Sequence, residues 1–179
     1  MSLQPRIAEV VDLLEQSHHA LVDVVMAWPA ETRDAPARDG AWSVAEHIEH
    51  LAIVEDGAGR LISKLIKAAA TAGAPDTDTA SVIATMDRFQ VPTARRPIEA
   101  PDQVRPTGTV HAVDALATLS TARARVVDAF RRASGLSLGA VTHPHPALGP
   151  LNVYQWGVFL AQHEQRHLAH IQRVAQTPP

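Results

Sequence analysis

Cysteine is absent from this sequence, which excludes disulfides, cysteine-ligated zinc, iron–sulfur clusters and a cysteine nucleophile. No apolar run reaches the length of a membrane span, so no membrane partner is expected. The opening MSLQPRIAEVVDLLEQ has no basic cluster followed by an apolar stretch and a small-residue cleavage site, and the expected location is the cytoplasm. A dominant charge is missing too. The net charge is −3 with no polybasic tract, which leaves no electrostatic footprint for nucleic acid. Alternation with the period of two that marks a strand is nearly absent as well.

What is present is helical periodicity in a chain whose 179 residues and 46% hydrophobic content suit one domain over residues 1–179. From about Leu3 to Met26, the residues Ile7, Val11, Leu14, His18, Leu21 and Val25 follow a 4-3-4-3-4 spacing, the seam of a bundle helix. Trp28-Pro29 ends it, and Pro36, Asp39 and Gly40 mark the connection. Ser43 and Glu46 form a capping box that opens a second helix. It runs to about Thr71, with Val54, Leu61 and Leu65 inward, until Gly73 and Pro75 close it. Residues 74 to 110 form a long connection with a short helix expected near Ser81–Phe89 and prolines at 92, 97, 101 and 106. A third helix spans roughly His111 to Ala133, with Leu116, Leu119, Val126 and Phe130 on one face. After the turn segment HPHPALGP, a fourth starts near Asn152. Gln155 is its reciprocal cap, and Leu151 and Trp156 are placed as a staple. The expected fold is all-α: a four-helix bundle with a long crossover between its second and third helices.

The ten histidines are many for this length. On the last helix Val153, Trp156, Leu160, His163, His167, His170 and Val174 recur at 3-4-3-4-3-4, so a core-facing stripe is apolar at its ends and imidazole in its middle. Burying polar groups without partners costs a few kcal/mol each, and a shared metal ion removes that cost. Residues four apart on a helix are stacked with Cβ atoms about 5–6 Å apart, which lets His163 and His167 grip one ion. His170 sits about 10 Å along the axis from His163 at ~1.5 Å per residue, and suits the pocket lining better. A third ligand comes from the second helix, where His47 and His50 fall on overlapping stripes and periodicity leaves them tied. His18 reads as a core residue or one bordering the same cavity, whereas His19, His111, His143 and His145 read as surface or loop.

His163-Glu164-Gln165-Arg166-His167 also matches the HExxH pattern of zinc proteases, whose glutamate is the general base. Only twelve residues follow, with no carboxylate and His170 as their one histidine, so the downstream third ligand of that class is missing. Glu164 lies about 100° around the helix from His163 and is expected outside the seam.

AWSVAEHIEHLAIVE (41–55), followed much later by HPALGPLNVYQWGVFLAQHEQRHLAHI (145–171), resembles the DinB/YfiT-like superfamily, proteins read as metalloenzymes. The resemblance covers most of the chain. It implies a four-helix bundle with three histidine ligands: one eight residues after the tryptophan of a Trp-Ser motif, and a His-x-x-x-His pair on the last helix. Transferred to this sequence, Trp42 points to His50, and the pair is His163 and His167. His170 stands where relatives often carry glutamine, a departure at the pocket. The resemblance further implies a transferase using a low-molecular-weight thiol such as bacillithiol or mycothiol. A metal-dependent hydrolase and a non-catalytic metal- or ligand-binding stress protein are the alternatives, and relatives are often homodimers.

Three neutral imidazoles leave a divalent ion its full charge and an open position, the layout of a catalytic site. Zinc fits nitrogen ligation and needs no redox chemistry, and zinc or nickel is the expected ion, although imidazole does not select strongly against cobalt, iron or manganese; the partner is a small-molecule substrate. Outer carboxylates are expected to orient the ring N–H groups, with Glu46, Glu49 and Glu55 as candidates.

Overall fold

The computed structural model describes residues 3–36, 41–73, 77–92 and 100–176; Asp39, Gly40, Pro75 and Pro97 lie outside these. Four long helices form the bundle: α1 (Pro5–Met26), α3 (Val44–Ala72), α4 (Ala112–Arg132) and α5 (Val153–Gln176), with a single-turn α2 (Ala30–Arg33) after α1. Pro5 enters α1 in its first turn, where the missing N–H costs nothing. The Ser43/Glu46 box caps α3, Ser43 Oγ accepting from Glu46 N at 3.2 Å and Glu46 Oε2 accepting from Ser43 N at 2.8 Å. Gly73 ends α3 at φ 68°, a left-handed conformation that costs glycine little. Asn152 and Gln155 cap α5 reciprocally, at 3.0 and 2.9 Å. Asp34, just past α2, receives the Ala112 N–H at 2.8 Å and so caps α4 from a distant part of the chain.

Around the bundle α1 lies beside α5, α5 beside α3, α3 beside α4 and α4 beside α1. Two apolar clusters divide the core. One joins the start of α1, the ends of α3 and α4 and the start of α5; the other joins the opposite ends. The helices therefore run up, down, down, up, and the long crossover between α3 and α4 returns the chain along the bundle. At Gly157 α5 comes so close to its neighbours that an added Cβ would stand 2.6 Å from Val10 and 2.7 Å from Phe130.

Between the clusters lies a charged layer to which all four long helices contribute. Arg123 of α4 donates to Glu55 of α3 at 2.7 Å, to the Leu14 carbonyl and Ser17 of α1, and pairs with Glu164 of α5 at 3.1 Å. All three charged side chains are buried, Glu164 completely. Burial pushes the Glu55 carboxyl up while the Arg123 guanidinium pulls it down, and the two carboxylates raise the Arg123 pKa against the effect of burial. The expectation that Glu164 lies outside the seam is thus wrong. α5 packs on two neighbours, so the face 100° from the histidines points to the bundle axis rather than to water.

Two other expectations change, and a third is met in a tighter form. The inward stripe of α3 is Ile48, Leu51, Glu55, Ala58, Ile62, Leu65 and Ala69, while Val54 and Leu61 are only half-buried at its flank. Accommodating Arg123 at Glu55 rotates the stripe from the purely apolar one. The segment near Ser81–Phe89 is a 3-10 helix, Ile83–Phe89, with Met86 buried against the core. Part of HPHPALGP is a hairpin, β1 (Thr142–His145) against β2 (Gly149–Asn152), in register Pro144↔Pro150. Prolines in both strands lack a ladder N–H, and four exposed-to-intermediate positions in β1 carry no alternation to read. Among the described residues, no helix is long and apolar enough to cross a membrane.

Replacing Arg123 by alanine strands two buried carboxylates, and Arg123→Ala is expected to cost about 3–5 kcal/mol of unfolding free energy. Urea unfolding followed by circular dichroism measures it; a loss under about 1 kcal/mol, the worth of a surface pair, would show that the layer is not a stabilising constraint.

Candidate metal centre

α3 and α5 are neighbours, and their facing surfaces bring His50, His163 and His167 together, each offering a ring nitrogen within 4.8 Å of the others. His163 and His167, one turn apart on α5, have their Nε2 atoms 3.2 Å apart. The His50 ring centroid lies 5.3 Å from that of His163 and 4.8 Å from that of His167. His50 Nδ1 donates to the Val104 carbonyl at 2.7 Å. A carbonyl only accepts, so this ring carries its proton on Nδ1 and leaves Nε2 as a free donor atom.

Aromatic rings wall the cluster. Trp42, just before the α3 cap, packs against His50 at 4.9 Å and stacks on His167 at 6.2 Å. The eight-residue step from Trp42 to His50 thus has a physical meaning: the indole and the imidazole meet across the first turns of α3. Phe159, one turn before His163, stacks on it at 5.3 Å. His145 on β1 packs on Phe159 at 4.4 Å and accepts the Ala147 and Leu148 N–H groups through Nδ1. It is a turn-forming residue of the hairpin that walls one side of the cluster, not simply a loop residue.

The environment keeps these rings neutral. Burial, then repulsion from His50, Arg166 and His145, pulls His163 down to about 3. Burial, then His163, His50, His47 and His170, pulls His167 further down. Burial lowers His50 against the opposing effect of the Val104 hydrogen bond. His47 falls to about 4 through burial, then His170, His50 and Arg173. Neutral imidazoles carry the lone pairs that a divalent ion needs. Nitrogens about 2.0–2.1 Å from a tetrahedral zinc stand roughly 3.3 Å apart, close to the observed His163–His167 separation. The donor set fits a divalent metal ion, and the cluster could hold one.

The remaining sequence candidates divide. His47 packs beside the trio with Nδ1 3.0 Å from His167 Nδ1, and His170 flanks both, 5.7 Å from His47 and 5.9 Å from His167 between centroids. His18 belongs elsewhere: its Nδ1 meets Glu164 at 2.9 Å and its Nε2 meets Ser120 at 2.9 Å, on the α1–α4 side of the charged layer. The three carboxylates expected to orient the imidazoles have other partners. Glu46 caps α3, Glu49 accepts from Thr107 Oγ1 and Gly108 N, and Glu55 pairs with Arg123. A main-chain carbonyl, Val104, takes that part for His50, and sequence offers no side-chain signal for it.

A family model described as the DinB superfamily matches residues 13–171. Among solved structures the chain is similar to TT2238, a four-helix bundle protein, with 24% identity and a TM-score of 0.63 over 93% of this chain and 98% of that one. At that identity the likeness speaks for the fold. No curated protein matches.

In the unfolded chain these histidines take protons near 6.5, whereas folding holds His47 and His163 near 4 and 3. Below pH 6.5 the unfolded state therefore binds more protons, and stability is lost as pH falls. Metal-free protein is expected to lose up to about 1.4 kcal/mol per pH unit for each of these rings between pH 6 and 4. The urea midpoint across that window measures the slope, and a flat profile would contradict neutral burial.

Proposed function

The chain belongs to the DinB superfamily, and on that footing we propose that it is a metal-dependent transferase whose nucleophile is a low-molecular-weight thiol. His50, His163 and His167 would hold one divalent ion, zinc or nickel, whose chemistry when bound would be to keep a thiol ionised at neutral pH for attack on an electrophilic carbon. The observation that carries this reading is the character of the surroundings. The donors are three neutral imidazoles, and the nearby carboxylates Glu46, Glu49, Glu55 and Glu164 are all committed to other partners. Attack by water calls for a general base to take its second proton; none of these carboxylates is free to act, and His47 already faces His167, which would leave that part to the His170 imidazole. A thiol gives up its single proton before attack and needs no such base, which favours sulfur transfer over hydrolysis.

The chain's own residues divide the work. Val104 orients His50 through Nδ1. Trp42 and Phe159 cover the imidazoles with apolar surface, which excludes water and strengthens the electrostatics inside. The chain has no cysteine to compete for the metal or the electrophile.

Metal analysis of the purified protein is expected to give about one equivalent, lost in His50→Ala, His163→Ala and His167→Ala, as expected when one of three ligands is removed. Adding glutathione, bacillithiol or mycothiol to the cobalt-substituted protein is expected to raise a sulfur-to-metal charge-transfer band. Metal uptake without such a band for any thiol would discard the transferase reading, and turnover of simple esters in its place would favour a hydrolase. Metal uptake with neither would leave a binding protein.

A further inference from the structure

We infer that His47 is a positioning residue: its Nδ1 accepts a hydrogen bond from His167 Nδ1–H and so fixes the tautomer and rotation in which His167 offers Nε2 to a metal ion. This rests on the reading of His50, His163 and His167 as ligands. The two nitrogens of His167 face different neighbours. Nε2 is 3.2 Å from His163 Nε2, inside the trio, while Nδ1 is 3.0 Å from His47 Nδ1, outside it. A neutral imidazole has one proton. When Nε2 gives its lone pair to an ion, the proton sits on Nδ1 and must be donated, and the atom in line to receive it is His47 Nδ1. His47 then carries its own proton on Nε2.

His50 shows the same polarity through an independent device, its Nδ1–H on the Val104 carbonyl. Two of the three rings are thus held from behind so that the same nitrogen faces inward. His47 is 7% exposed, which leaves little room for water to replace it. Trp42 braces the pair, 5.4 Å from the His47 centroid and stacked on His167.

Both holders are uncharged, and this has a chemical consequence. A carboxylate behind a ligating histidine raises that ligand's basicity and donates more strongly to the ion. A carbonyl and an imidazole do so less, which leaves the ion more electrophilic and better able to hold an ionised thiol. The tie between His47 and His50 along α3 also finds its meaning here. Residues three apart share a helix face, so both reach the cluster, one toward the ion position and one toward the back of His167.

The test compares wild type, His47→Ala and His47→Asn. Asparagine places Oδ1 one atom beyond Cγ on the same connectivity as Nδ1, and can accept the His167 proton. Zinc affinity from chelator competition is expected to fall about 10–100-fold in His47→Ala and to be largely restored in His47→Asn, with one equivalent bound at saturation in all three. On metal-free protein, nitrogen–proton correlation spectra are expected to show His167 protonated at Nδ1 in wild type and His47→Asn, and in mixed tautomers in His47→Ala. Equal affinity and equal spectra across the three would overturn the assignment. Loss of the bound equivalent in both variants would overturn it too, since His47 would then be a ligand itself. If wild type takes up no zinc, the ligand reading fails, and the tautomer spectra still decide the role of His47.

Discussion

A guanidinium held on the bundle axis by two carboxylates sets the rotation of every long helix. Arg123 cannot move without leaving Glu55 and Glu164 charged in an apolar interior, and neither carboxylate can turn away without stranding Arg123. α3, α4 and α5 each enter this layer through one side chain, Glu55, Arg123 and Glu164, and α1 enters through Ser17 and the Leu14 carbonyl. Apolar packing alone tolerates sliding and rotation of one helix against another. A directional network does not, and this one lies between the two apolar clusters and ties all four helices at that level.

The histidine cluster inherits that rotation. Glu164 is the neighbour of His163 in sequence, so pinning the carboxylate to the axis turns the imidazole about 100° away, toward α3. There it meets His50, whose own direction is set by Glu55 one and a half turns further along the same helix. The capping box at Ser43 and the indole of Trp42 settle the start of α3. The site is therefore built from the bundle's polar layer outward, and its preorganisation comes from residues that never reach a ligand position.

Much of this was legible in the sequence, for identifiable reasons. The α1 seam, both capping boxes and the His163/His167 pair are local patterns set by helical spacing, and all appear in the structure. The resemblance to a known family broke the tie between His47 and His50, and the structure brings His50 into the trio. What was not legible depends on more than one face. A periodicity reading assigns one buried stripe per helix and places Glu164 outside it, yet α5 packs on both α1 and α3, and Glu164 is fully buried. The partners of Glu55 and His18 lie on other helices and leave no spacing signal. The hairpin at 142–152 was hidden because its strands are short and proline-bearing.

The HExxH segment shows how far packing decides chemistry. In a zinc protease that glutamate faces the ion's water and takes its proton. Here the same five residues form the same helical turn, but Arg123 stands on the axis and draws Glu164 to itself. The carboxylate that would have made a base pairs with Arg123 instead, and Ser17 and His18 also hydrogen-bond to it. On the imidazole side of the helix the rings of His50 and His167 find uncharged hydrogen-bond partners instead, a main-chain carbonyl and a fourth imidazole. A divalent ion in such a shell would keep its charge and have no carboxylate base at hand, and this is the ground on which the proposed thiol nucleophile is preferred to water.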